Sequence, residues 1–366
     1  MTTQDIVIVA NSPGELSALV KPVAETLADK FAAARIILVL TPCQYTSGRE
    51  LEYVKTIKGI SEIVPAKSYQ NWILRDRKPN LAFKEKGVVL YLGGDLAHAV
   101  LVARKLHYPA FAYVQDHLSW SNFYKGFFVP DAATQRKFAK NNKLKAKIKI
   151  VGNLMVDSVS GQKTWSPQKN VITFMPGSRD WQIKHMTPIY ENLIALIKVQ
   201  RPEINFQLVS SPFEKAMVIK GTKVIKFEEI SNSELVITIP GTNTARLAAL
   251  GLPMLVLFPL DNPDVIPLEG PLHYICRIPH LGSKFKHFLA DTINQRTKFF
   301  ALPNIKANKE IIPELRGKLD LLSVAKKALE LLDDPAKRQE MSANLRHSLG
   351  EPGAARRIYE AIRTAA

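Results

Sequence analysis

Val171-Ile-Thr-Phe-Met175-Pro-Gly-Ser-Arg179 is the stretch whose reading decides the fold. Five apolar or β-branched residues in an unbroken run read as a strand buried on both faces, as in a parallel sheet. The Pro-Gly-Ser-Arg turn ends that run, and a helical pattern near 187–199 follows. A strand, a glycine turn and a helix form half of a crossover unit. The turn has its own chemistry. Gly177 lets the backbone approach a ligand, the helix N-terminus offers unpaired N–H groups, and Arg179 adds a charge-assisted clamp. Together they suit a diphosphate. The competing reading is a tight structural turn with a solvated arginine.

The same logic extends outward in both directions. Strand-like runs recur at 205–209, 224–227, 235–239 and 254–258. The run at 235–239 ends in Pro240-Gly-Thr-Asn-Thr244, which opens a helix over 245–250; Gly241, Thr242, Asn243 and Thr244 there either meet phosphate or cap the helix. Upstream, 5–10 is a buried strand ending at Asn11-Ser-Pro-Gly14-Glu15, with Leu19, Val23 and Leu27 at helix spacing behind it. Further strands read at 36–40, 87–92 and 110–114, with shorter ones at 127–130 and 148–151. Gly93-Gly94-Asp95 ends the third and precedes a helix through 100–106. Alternating strands and amphipathic helices predict an α/β protein with parallel sheets. Two such series predict two Rossmann-like doubly wound domains with a cleft between them, spanning 1–157 and 168–345. A polar hinge runs over 157–167, and a C-terminal helix over 346–366 packs back on the first domain. In such sheets ligands bind at the carboxyl ends of strands, so the post-strand turns are the candidate site. Asp95 and Glu15 sit at two of those ends. Each reads either as an acid/base group for a sugar hydroxyl or as a helix-terminus residue.

Bulk properties exclude several classes. The chain has 366 residues, 46% hydrophobic and 23% charged, and only two cysteines, Cys43 and Cys276, without CxxC spacing. A disulfide framework or zinc site is not supported. The formal net charge of +17 asks for an anionic partner, but no nucleic-acid-binding signature accompanies it. GxGxxG, GxSxG, the Walker loop and HxxxH are absent, so no dinucleotide or metal cofactor is expected. The N-terminus lacks the basic region of a signal peptide. Aromatic and basic residues interleave at 69–78 and 123–128, which suits either an anionic membrane interface or core packing with snorkelling lysines. His98 and His117 read as structural.

Several stretches, in order, make the chain resemble the lipid-A-disaccharide synthase family, inverting glycosyltransferases of the two-domain GT-B class. They are 9–15, 92–95, Val151-Gly-Asn-Leu-Met-Val-Asp157, 175–179, 240–253, and Ala301-Leu-Pro-Asn304 through Pro313-Glu-Leu315. The resemblance implies a uridine-diphosphate sugar donor on the C-terminal domain and an acylated glucosamine-phosphate acceptor on the N-terminal one. It also implies a cytoplasmic enzyme peripheral to the inner face of the membrane, no metal, and leaves homodimerisation open. Asp95 matches the catalytic base, Glu15 an acceptor-loop carboxylate, and Arg179 the diphosphate arginine. Asn304 falls in a segment that closes over the nucleotide. The candidate substrate-binding set is Gly14, Asn153, Gly177, Ser178, Arg179, Gly241, Thr242, Asn243, Asn304 and Glu310. The chain departs from the family at 13–18, where a Gly-Asp pair is missing, and at Arg246, where the family has Glu. Two alternatives stay open: a UDP-sugar 2-epimerase or a GT-B enzyme with another lipid acceptor, and a non-catalytic nucleotide-sugar-binding relative.

Overall fold

The computed structural model describes residues 4–30, 34–43, 48–213, 218–260, 292 and 294–363. Cys276 lies outside the described residues. Two sheets form, and every pairing in them is parallel. The first contains β1 (Gln4–Ala10), β2 (Ala34–Leu40), β3 (Ile60–Val64), β4 (Gly87–Tyr91), β5 (Ala110–Tyr113), β6 (Gly126–Val129) and β7 (Ile148–Ile150). Their spatial order is β3-β2-β1-β4-β5-β6-β7. The second contains β8 (Val171–Met175), β9 (Asn205–Val209), β10 (Thr222–Ile225), β11 (Leu235–Thr238), β12 (Met254–Pro259) and β13 (Glu314–Gly317), in the order β10-β9-β8-β11-β12-β13.

Both orders have the same consequence. The chain leaves β1 toward β2 and β3, then returns to place β4 on the other side of β1. It leaves β8 toward β9 and β10, then places β11 on the other side of β8. Each sheet therefore has a topological switch point, between β1 and β4 and between β8 and β11. There two successive post-strand loops diverge and leave a crevice at the carboxyl edge.

The central strands form where the sequence is apolar throughout. Ile6 to Ala10 and Val88 to Leu90 are fully buried, as are Val171 and Ile172. The edge strands differ. β3 is half exposed, with Ser61 and Glu62 open to solvent, and every residue of β13 is only partly covered. Residues 224–227 do not form one strand: β10 stops at Ile225, and Phe227 opens a 3-10 turn over Phe227–Asn232. The helix expected near 187–199 starts earlier, at Asp180, and runs to Gln200 through Pro188. Pro188 lacks the N–H that would close one turn. The Thr187 hydroxyl donates to the Ile183 carbonyl at 2.8 Å just before it.

The chain divides into two compact units, Met1–Ser160 with Gly350–Ala366, and Gly161–Leu349. In the first unit, the Asp157 carboxylate accepts from the backbone N–H of Gly353 (2.6 Å) and Ala355 (2.7 Å). That holds the start of the helix Ala354–Ile362, whose apolar side packs on the helix Lys21–Lys30. In the second unit, Trp165 donates from its backbone to Leu250 and from its indole to Ser233, both at 2.9 Å. Each unit also buries an ion pair. Asp5 takes a two-pronged bond from Arg35 (both 2.9 Å) and the N–H of Lys84 (2.9 Å), while Glu234 pairs with Arg338 at 2.5 Å.

Candidate functional site

At the first switch point, β1 and β4 run side by side with Val9 opposite Tyr91. The turns 11–15 and 93–95 therefore leave from neighbouring strands. Glu15 joins them. One carboxylate oxygen accepts from the N–H of Ser12 (3.1 Å) and Asn11 (3.4 Å), and the other from the N–H of Gly94 (3.1 Å). A Cβ at residue 93 would lie 2.1 Å from this carboxyl group, so only glycine allows the approach. Burial pushes the Glu15 carboxyl above the usual range, against these hydrogen bonds, which lower it. Both Glu15 oxygens accept from backbone donors, so the side chain clips together the loops that follow β1 and β4.

Asp95 is exposed and caps the helix Leu96–Leu106, accepting from the Ala97 N–H at 2.8 Å. Its second oxygen takes no part in that cap. Three residues on, His98 Nδ1 shares a hydrogen bond with the Tyr69 hydroxyl at 2.7 Å. Burial lowers the His98 pKa and raises that of Tyr69, while the Asp95 charge raises both. Gly14 lies in the single turn Pro13–Glu15, its carbonyl accepting from Ser17 at 3.2 Å. A π-helical turn follows at Leu16–Val20, a local irregularity frequent near functional sites. Asn153 is buried and caps the turn Leu154–Asp157 through Met155 N–H (3.0 Å).

The Glu15 clip makes a prediction. Three backbone N–H groups lose their acceptor in Glu15→Ala, so the first unit loses about 2 kcal/mol of stability. The folded pKa of Glu15 is raised, so the stability it contributes is fully present below the unfolded carboxylate value. It is lost as pH rises through the folded value. The gap between wild type and variant is expected to shrink with rising pH in urea unfolding series; a constant gap would contradict the assignment.

At the second switch point, Met175 of β8 pairs with Thr238 of β11. The turns 176–179 and 240–244 thus start from hydrogen-bonded neighbours at one level, and open the helices Asp180–Gln200 and Thr242–Leu250. Gly177 (φ +106°) and Gly241 (φ +140°) hold backbone conformations that side chains disfavour. The N–H groups of Ser178 and Arg179 point to one acceptor, Gln182 Oε1, at 3.2 Å each. Nothing in the sequence pattern singles out Gln182. Thr242 and Asn243 are partly exposed at the second turn. Thr244 is buried and holds the frame: its hydroxyl donates to Gly241 O (2.8 Å) and accepts from the Leu302 N–H (3.4 Å). Arg246 lies over the Phe227 ring at 3.7 Å.

Two further candidates sit elsewhere. Asn304 is fully buried, and its amide is consumed locally. It donates to Ile312 O (2.8 Å) and Glu314 (2.7 Å), and accepts from Ile311 N–H (2.7 Å) and Ile312 N–H (3.1 Å). These bonds shape the 301–314 segment. Glu310 lines a separate cavity of about 280 Å³ with Lys309, Lys327, Lys337 and Asn344, which includes no residue of either glycine turn.

The aromatic segments of the first unit also resolve. Tyr69, Trp72, Phe127 and Phe128 are core. Leu74 (79% exposed), Phe123 (45%) and Trp120 (50%), the last unmarked by the sequence reading, are not. Arg104 covers the Phe123 ring at 4.6 Å, and Trp120 lies 5.9 Å from it. Among the described residues no cluster of His, Cys, Asp or Glu could hold a metal, and no helix is long and apolar enough to cross a membrane.

No family model matches the chain. It is similar to curated lipid-A-disaccharide synthases, among them that of Persephonella marina, at 24% identity over 245 residues. That alignment covers 59% of each chain, so the chain spans about six tenths of this relative's length. Solved structures share the fold. UDP-GlcNAc 2-epimerase from Neisseria meningitidis, bound to UDP-GlcNAc, has a TM-score of 0.56 at 14% identity, covering 99% of this chain and all of that one. MurG from Acinetobacter baumannii has a TM-score of 0.52 at 14% identity, covering 99% of both. The fold is GT-B, and the sequence is similar to those of lipid-A-disaccharide synthases.

Proposed function

We propose that this chain is an inverting glycosyltransferase that moves an acylated amino sugar from a uridine-diphosphate donor to a lipid-linked sugar, as in lipid A disaccharide synthesis. The observation that carries this reading is the pair of glycine turns, 176–179 and 240–244, on hydrogen-bonded neighbouring strands. Two helix N-termini and Arg179 there suit the two phosphates of a nucleotide sugar. The similarity to lipid-A-disaccharide synthases favours transfer to a lipid over other chemistry.

The step balances simply. Asp95 takes the proton of the acceptor hydroxyl, and that oxygen forms a bond to the anomeric carbon. The bond from the anomeric carbon to the diphosphate breaks, and its electron pair leaves on the diphosphate. The N–H groups at 177–179 and 241–244, with Arg179, stabilise the charge that gathers there. Glu15 holds Asp95's loop. The exposed Leu74, Trp120 and Phe123, beside Arg75, Arg77, Lys78 and Arg104, suit a peripheral contact with an anionic membrane face.

Mass spectrometry of products tests the reading, using purified protein, UDP-N-acetylglucosamine or UDP-diacylglucosamine, and a Gram-negative lipid extract. Expected is a new glycolipid with one UDP released per transfer. Conversion of the donor to an isomer of equal mass, without transfer, would overturn it in favour of an epimerase, a reading that the structural likeness to UDP-GlcNAc 2-epimerase keeps in view. Neither product would leave a nucleotide-sugar-binding protein.

A further inference from the structure

The two backbone N–H groups best placed for a phosphate oxygen are already occupied. Gln182 Oε1 accepts from Ser178 N–H and Arg179 N–H at 3.2 Å each. Its carboxamide lies on Gly177, where an added Cβ would meet Oε1 at 2.3 Å and Cδ at 2.8 Å. A side-chain amide thus sits where an anion would sit.

Beside the turn lies a small cavity of about 50 Å³, which Gln182 itself lines with Trp181, His185, Met186, Ile239 and Phe258. Trp181 Nε1 and His185 Nε2 are buried and have no hydrogen-bond partner among the described residues. Unmet buried donors and acceptors are costly, and natural proteins keep few of them. A cavity of about 150 Å³ holds the six carbons of benzene, so this one has room for roughly two of a carboxamide's heavy atoms.

We propose that Gln182 is a displaceable occupant of the phosphate nest. When a diphosphate oxygen takes the Ser178 and Arg179 N–H groups, the Gln182 carboxamide swings into the adjoining cavity. There its oxygen accepts from the Trp181 indole, and its amide meets His185 Nε2. The three residues lie on the first turns of one helix, so the exchange needs side-chain rotation only. Gln182 then sets apparent donor affinity in two opposed ways: it competes in the nest and is compensated in the cavity. The inference rests on the diphosphate reading of the turn and concerns its regulation.

Calorimetric titration with UDP and with inorganic pyrophosphate tests it, on wild type, Gln182→Ala and Gln182→Asn, with thermal midpoints recorded for each. Asparagine is too short to reach the nest and keeps a polar residue in the first turn, so it covers the case in which alanine folds poorly. Both variants are expected to bind both ligands about 5- to 30-fold more tightly, because the competitor is gone. Trp181→Phe is expected to weaken binding several-fold when Gln182 is present and to have no effect when it is alanine. Unchanged or weaker binding by both Gln182 variants, with wild type still binding UDP, would overturn the displacement alone. If wild type and every variant bind neither ligand, the diphosphate reading itself fails.

Discussion

Asp95→Asn is expected to lower turnover about 10²- to 10⁴-fold, the usual worth of a positioned general base, with little change in stability. The substitution separates two roles that alanine would confuse. Asp95 caps the helix Leu96–Leu106 through one oxygen, accepting from the Ala97 N–H. An asparagine oxygen takes the same bond, and the two are near-equal caps. What asparagine lacks is the basic oxygen for the acceptor proton. Donor affinity should hold, because the nest at 177–179 belongs to a different switch point. Steady-state kinetics with saturating donor, alongside urea unfolding, make the check. Full turnover with normal stability would remove Asp95 from the mechanism. Loss of both would leave it only its cap.

The largest expected loss of stability falls elsewhere, at Arg338. Its guanidinium bonds Glu234 at 2.5 Å and donates to the carbonyls of Leu331 and Leu332, which end the helix Leu321–Asp333. Glu234 also accepts from the Asn170 N–H at 2.6 Å. Both charges are nearly enclosed, at 7% and 10% side-chain exposure. Arg338→Ala leaves a buried carboxylate without its cation, which costs about 3–5 kcal/mol. Total stabilities run about 5–15 kcal/mol, so the second unit should unfold at markedly lower urea and lose donor binding with it. Removing both partners, in Arg338→Met with Glu234→Gln, should recover much of the loss, since no orphan charge remains. A single variant with wild-type stability would show the pair to be dispensable.

The parts of this molecule that the sequence made legible share one physical trait. β1, β4, β8 and β11 are covered on both faces, so they read as unbroken apolar runs, and the glycine turns after them stand out. β3 and β13 lie at sheet edges, where one side meets solvent, and their polar residues broke the pattern. Pro188 made the helix after β8 look shorter than it is, because a proline inside a helix is an exception that tertiary packing tolerates. The site divides along similar lines. Turns 176–179 and 240–244 were visible as turns, and their adjacency follows once strand order is known. Glu15 was visible as a carboxylate, but its partner Gly94 is 79 residues away. Its work as a clip therefore appears only in three dimensions. Asn304 belongs to a stretch that carries the family resemblance, yet all its bonds turn inward. Gln182 carried no signal, because a glutamine in a first helical turn is ordinary until its oxygen is seen resting on Gly177.

The central claim is that the second unit holds a nucleotide diphosphate at the turns after β8 and β11. Calorimetric titration of UDP into wild type and Arg179→Ala tests it most directly. Wild type should bind UDP more tightly than uridine, and Arg179→Ala should bind UDP about 10- to 100-fold more weakly, as loss of a charge-assisted contact implies. Equal affinity of wild type for UDP and uridine, or equal affinity of both proteins for UDP, would contradict the account.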